Sequence, residues 1–102
     1  MRRATLALRE KVIDDRGNIF EMVIWRVPVT SQSPSGVRYR LAFVRRSEAE
    51  PAVLYDNHPP KGHHLHVAGG EGRYSFVDVD QLLADFMADV ERIAGEVQWP
   101  RR

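Results

Sequence analysis

The sequence has 102 residues, 15 Lys/Arg against 14 Asp/Glu, a formal charge of +1 and no cysteine. A hydrophobic fraction of 43% and a charged fraction of 28% are those of a globular domain, excluding collagen, a long disordered tail and a multidomain enzyme. The absence of cysteine excludes disulfides, thiol nucleophiles and thiolate metal sites.

A chain of this size buries only ~60–65% of the surface its unfolded form exposes. It therefore relies on its core, on a partner, or on both. No apolar run approaches the ~18–20 residues needed to cross a bilayer, and Met1 to Lys11 is too polar for a signal peptide, so a cytoplasmic, membrane-free protein is expected. The net charge hides a division. Residues 1–77 carry 12 Lys/Arg and 8 Asp/Glu, residues 78–98 carry 1 and 6, and the last four residues add two arginines.

In chain order, residues 4–13 alternate, with Leu6, Leu8 and Val12 on one side and Thr5, Arg9 and Lys11 on the other. A period of two predicts a half-buried strand. Asp14 to Asn18 is a turn, because Gly17 and Asn18 tolerate positive φ and the aspartates cap local amides. Residues 19–27 form a second, more central strand, with Phe20, Met22 and Ile24 on one face and Val23, Trp25 and Val27 on the other. Together the two strands predict a β-hairpin.

The Pro/Ser-rich stretch 28–36 predicts an exposed, mobile loop. Residues 37–44 are the third strand, with Val37, Tyr39, Leu41 and Phe43 inward and Arg38 and Arg40 outward. Residues 52–55 are a short fourth strand, 56–72 an irregular histidine-rich loop, and Tyr74 to Phe76 a candidate fifth strand.

Residues 78–97 predict a helix. Val79, Leu82, Leu83, Phe86, Val90, Ile93 and Val97 make an apolar stripe, Asp78 and Gln81 suit a capping box, and Pro100 blocks continuation. The expected fold is α+β, one domain over 1–102. It is an antiparallel sheet of four or five strands with one long C-terminal helix packed on one face. Ala84, Ala88 and Gly95 make a small-residue strip opposite the stripe, flanked by Asp85, Asp89 and Glu91, which suits docking of a partner helix.

All four histidines fall between positions 58 and 66. If residues 64–66 are extended, His64 and His66 point to the same side. Lys61 can approach them through a bend at Gly62. Two chemistries suit this group. In metal-free RNA cleavage, one imidazole takes the 2′-hydroxyl proton, another protonates the leaving oxygen, and lysine stabilises the charged phosphorane. In a divalent metal site, His64 and His66 are joined by Asp56, His63 or His58.

The sequence fixes no metal ligand set and no cofactor is expected, with a divalent metal as the alternative. Arg26, Arg38 and Arg40 are expected on one exposed face with Arg9 or Lys11, where they would attract phosphates. Trp25, Tyr39 or Tyr55 would stack bases there.

Tyr55-Asp56-Asn57, Lys61-Gly62-x-His64-x-His66, Tyr74-x-Phe76 and Leu82-Leu83-x-Asp85-Phe86-x-x-Asp89-Val90 resemble the TumE-like toxin family of prokaryotic toxin–antitoxin systems. Asp15-x-Gly17, Glu21-Met22 and Ile24-Trp25-Arg26 continue the resemblance, which runs from Leu6 to Ile93. The Pro/Ser loop at 28–36 is longer than the family pattern. The resemblance implies a toxin encoded beside a helix-turn-helix antitoxin, acting as a nuclease on RNA.

The chemistry of the side chains nominates Lys61, His64 and His66 as catalytic, with Asp56 and Asn57 orienting them. Asp56 would hold an imidazole in its productive tautomer. Arg26, Arg38, Arg40 and Tyr55 are the RNA-binding candidates. A homodimer is a further assembly the sequence allows. The competing readings are a non-catalytic nucleic-acid- or protein-binding module, a metal-dependent nuclease, and a metal-storage or metal-sensing domain.

Overall fold

The computed structural model describes residues 3–95. Six strands run in chain order as an all-antiparallel meander: β1 Thr5–Ile13, β2 Ile19–Arg26, β3 Val37–Val44, β4 Val53–Asp56, β5 His64–Val67 and β6 Gly70–Arg73. One helix, α1 Val79–Ala94, follows and packs over β4. The α+β architecture is as expected, but the sheet has six strands rather than four or five.

The difference lies in the histidine-rich segment. Residues 64–67 and 70–73 are a β-hairpin, while Tyr74 to Phe76 lies outside the sheet. The glycines at 69, 70 and 72 read as loop punctuation. In the fold, Ala68 and Gly69 instead make a two-residue hairpin turn, both with positive φ (50° and 83°). That is the twist a tight hairpin needs. β6 contains two glycines and has little strand propensity, so its pairing with β5 keeps it in the sheet.

Alternation assigns the two faces of the sheet. Phe20, Ile24, Val37, Tyr39, Leu41, Phe43, Val53 and Tyr55 face α1 and are buried with Leu82, Phe86 and Val90 of the helix. Each large apolar side chain so buried contributes roughly 1.5–3 kcal/mol. Leu8 and Val12 of β1, and Leu65 and Val67 of β5, pack on the edges of this core.

The loop 28–36 closes on itself. Gly36 is paired with Val27, Thr30 with Ser33, and Ser33 is buried at 8% exposure. In the first hairpin turn the Asp14 carboxylate accepts from the Arg16 and Asn18 amides at 2.9 and 2.8 Å, the local capping expected of an aspartate there.

The helix begins as expected at its cap. Asp78 Oδ1 accepts from the Gln81 amide at 2.7 Å. The reciprocal half of the box does not form, because the Gln81 side chain donates to Asp85 instead. α1 ends at Ala94 with Gly95 at φ 73°, and the expected last turn to Val97 lies outside the described residues.

Two carboxylates placed on the solvent flank by the sequence turn inward. The Tyr55 hydroxyl donates to Asp89, which also pairs with Arg92, and the Tyr74 hydroxyl donates to Asp85 at 2.6 Å. Asp89 is only 8% exposed. Asp89 thus ties the helix to β4, and Asp85 ties it to the segment after β6.

Candidate active site

The face of the sheet turned away from α1 is built by register. His64 and His66 are both on β5 and two residues apart, so they share a face. Opposite them on β4 are Asp56 and Leu54, and on β6 are Arg73 and Glu71. Farther across, Arg40 pairs with Asp56 and with Val23, and Arg38 pairs with Trp25. Arg9 and Lys11 of β1 lie opposite Val23 and Glu21 on the same face.

The centre is a cluster of four side chains. The His64 and His66 rings are 5.4 Å apart at 80°, nearly perpendicular. Glu71 Oε1 accepts from the Lys61 ammonium and lies 3.6 Å from His66 Nε2. The hydrogen bond from Lys61 holds the Glu71 carboxyl below its usual range, outweighing an opposing desolvation. Lys61 remains largely exposed. Gly62 makes the bend between Lys61 and the strand with φ 72°, the bend its lack of a side chain permits.

The hydrogen bond at His64 Nδ1 reaches the Gly62 carbonyl at 2.8 Å. A carbonyl only accepts, so Nδ1 carries the proton in the neutral ring and Nε2 presents a lone pair. This is the tautomer-setting role assigned to Asp56. The Asp56 carboxylate instead accepts from the His58 amide at 2.6 Å.

Asn57 is 8% exposed and continues the β3–β4 ladder. Its Oδ1 accepts from the Tyr39 amide and its Nδ2 donates to the Val37 carbonyl, both at 2.8 Å. Both bonds go to the β3 backbone and fix where the loop to Lys61 leaves the sheet.

His63 points to the helix side. Its Nδ1 shares a hydrogen bond with the Tyr39 hydroxyl at 2.9 Å, and its ring stacks on Phe76 at 4.9 Å. Burial pushes its imidazole below the ordinary value. His58 is exposed at the edge of the Trp25 groove.

The basic residues divide. Arg40 is exposed beside the cluster, and Arg38 donates to Ser33 Oγ at 3.0 Å. Arg26 lies opposite Val37, on the helix side, and lines a recess with Phe76 and Asp78 near the start of α1. The shared arginine face expected from the sequence therefore excludes Arg26, because an eight-residue strand shows alternate residues to opposite sides. Tyr55 and Tyr39, at 2% and 3% exposure, are buried in the core and offer no stacking surface.

Trp25 does face outward. It lines a groove of about 270 Å³ with Val23, Arg38, Tyr39, Arg40, Asp56 and His58. Glu71 escaped the sequence analysis. Its signal was the Ala68-Gly69 turn, since a two-residue turn centred there puts residue 71 opposite residue 66.

A family model described as Toxin TumE matches residues 2–94. The chain belongs to the Toxin TumE family. The match covers the whole meander and α1, so Lys61, Glu71 and both histidines of β5 lie within the region that defines membership. Membership in a toxin family implies an antitoxin as partner. No match was found among curated proteins or among solved structures. No helix among the described residues is long and apolar enough to cross a membrane.

Proposed function

We propose that this TumE-family chain is a toxin that cleaves RNA through metal-free acid–base chemistry, and that a helix-turn-helix antitoxin neutralises it. The observation that carries the reading is the pair of imidazoles 5.4 Å apart on one exposed face with a lysine beside them. Such a pair can flank a single phosphate.

His64 Nε2 is the base and takes the 2′-hydroxyl proton. The 2′-oxygen then bonds to phosphorus, the P–O5′ bond breaks, and His66 donates the proton to the departing 5′-oxygen. The products are a 2′,3′-cyclic phosphate and a free 5′-hydroxyl. Glu71 supplies the counter-charge to a protonated His66. Lys61 moves from Glu71 to the phosphorane oxygens, where its charge is most useful as negative charge develops.

Arg40 and Lys11 draw the phosphate backbone to the same face. Trp25 is the flat surface on which a base stacks. β2 and β5 are three strand spacings apart, ~14 Å at ~4.8 Å per strand, a span suited to a short single-stranded segment.

The test is cleavage of an unstructured RNA oligonucleotide in EDTA, alongside growth inhibition on expression. Cleavage should persist in EDTA. His64→Ala and His66→Ala should each lower the rate by ~10²–10⁴-fold, the usual contribution of a general acid or base. A double variant that cleaves and inhibits growth like the parent overturns the reading, as does a toxic chain with intact cellular RNA. Co-expression with a helix-turn-helix protein from a neighbouring reading frame should restore growth and yield a co-purifying complex.

A further inference from the structure

We propose that His64, His66 and Glu71 form a Zn²⁺ site, and that the ion displaces Lys61 from Glu71 when it binds. Its regulatory consequence rests on the cleavage reading above; the binding itself does not. One donor atom from each of the three side chains lies within 4.8 Å of the other two, and His66 Nε2 is 3.6 Å from Glu71 Oε1. Ligands of a tetrahedral zinc ion, with bonds of ~2.0–2.1 Å, sit about 3.3 Å apart. Small rotations of side chains on one hairpin face close the remaining gap.

Donor type agrees with donor position. Two imidazoles, one carboxylate and a water make a set that zinc accepts and magnesium does not favour.

Two further contacts point to a cation. His64 Nδ1 is tied to the Gly62 carbonyl, leaving Nε2 for a metal. That is the outer hydrogen bond which metal-binding histidines characteristically make. In addition, Glu71 Oε1, the atom facing His66, holds the Lys61 ammonium. A positive charge therefore already sits at the carboxylate position a metal would claim, and the two cations exclude one another.

The consequence is inhibitory. Zinc on His64 Nε2 and His66 Nε2 removes the lone pair and the proton that cleavage requires. Transition-metal availability then sets how much of the toxin is competent.

Zinc binding is measured on the full chain by competition with a chromophoric chelator, with Mg²⁺ and Ni²⁺ as comparison ions and circular dichroism to confirm folding. A 1:1 complex is expected with Zn²⁺, and none with Mg²⁺. His64→Ala, His66→Ala and Glu71→Gln should each weaken binding at least ~10-fold, a loss that even outer-sphere changes reach. Lys61→Met should tighten binding by up to ~5-fold, the scale of one exposed ion pair.

No saturable binding to the folded chain below about 100 µM Zn²⁺, a concentration at which a site of ordinary affinity fills, overturns the proposal. So does binding that survives in the double-histidine variant. Unchanged affinity in Lys61→Met overturns the displacement. Zinc binding without RNA cleavage in any condition defeats the nuclease reading and leaves the site standing. Cleavage insensitive to zinc, with no binding, defeats the site alone.

Discussion

At His64 one hydrogen bond sets which nitrogen is available, and its acceptor is a backbone carbonyl two residues away. Gly62 can aim that carbonyl because it holds φ 72°. A methyl added there would meet no atom within 4 Å, so the cost of Gly62→Ala is backbone strain alone. That strain is ~1–2 kcal/mol, and each kcal/mol lowers Tm by roughly 4–8 °C in a domain this size. If the strained turn relaxes, the carbonyl swings and the imidazole loses its anchor. RNA cleavage by Gly62→Ala should then fall further than the loss of folded protein explains. A variant with lowered Tm and full cleavage per folded molecule would remove the carbonyl from its positioning role. The proximity of Lys61, His64 and His66 was legible because alternate residues of a strand share a face and Gly62 bends the chain between them. The contact Asp56 makes was not legible: its carboxylate accepts from the His58 amide two residues on. A lone Glu71 among glycines had no local pattern at all.

Among the elements, α1 is attached by more than its apolar stripe. Tyr55 and Tyr74 donate to Asp89 and Asp85, so the helix is keyed in register to β4 and to the segment after β6. Tyr55→Phe leaves a buried carboxylate with one partner fewer, a loss of about 1–3 kcal/mol that a denaturant melt at neutral pH will measure. Both phenols are raised above their ordinary value of 10.0, chiefly by burial and then by the bonded carboxylate. A folded-state pKa above the unfolded one gives stability that is full below the unfolded value and lost as pH rises past it. The chain should therefore lose stability above about pH 10, and Tyr55→Phe should lose less over that interval. Equal alkaline slopes for parent and variant would contradict the assignment. The helix was legible from its period and cap. The phenol anchors were not, because the partners are 34 and 11 residues apart in sequence.

For the whole molecule, the charge division acquires a different meaning. Asp78 caps the helix, and Asp85 and Asp89 bind phenols, so three of the acids in this segment hold the helix in place. On the opposite side of the sheet four basic residues, Arg9, Lys11, Arg40 and Arg73, share a face with the histidines. An RNA held there should dissociate as salt rises, because bound phosphates release counterions. Each phosphate contact to a single strand contributes ~0.7 to the slope of log affinity against log salt. Arg40→Gln should reduce that slope by about this amount, and Arg26→Gln, on the helix side, should leave it unchanged. Fluorescence anisotropy of a labelled RNA bound to the His64→Ala chain measures both. Equal effects from the two arginines would place the RNA elsewhere.

By itself the sequence determined the hairpin β1–β2, the inward and outward faces of β3, the helix with its Asp78 cap, and the shared face of His64 and His66. All of these depend on periodicity and on residues close in the chain. Tertiary structure decided the sixth strand, the inward turn of Asp85 and Asp89, the separation of Arg26 from Arg38 and Arg40, and the arrival of Glu71. Each depends on which strand lies beside which, or on what a side chain meets across the sheet. Pairing β5 with β6 brings residue 71 opposite residue 66 even though Gly-Glu-Gly-Arg has almost no tendency of its own to form a strand.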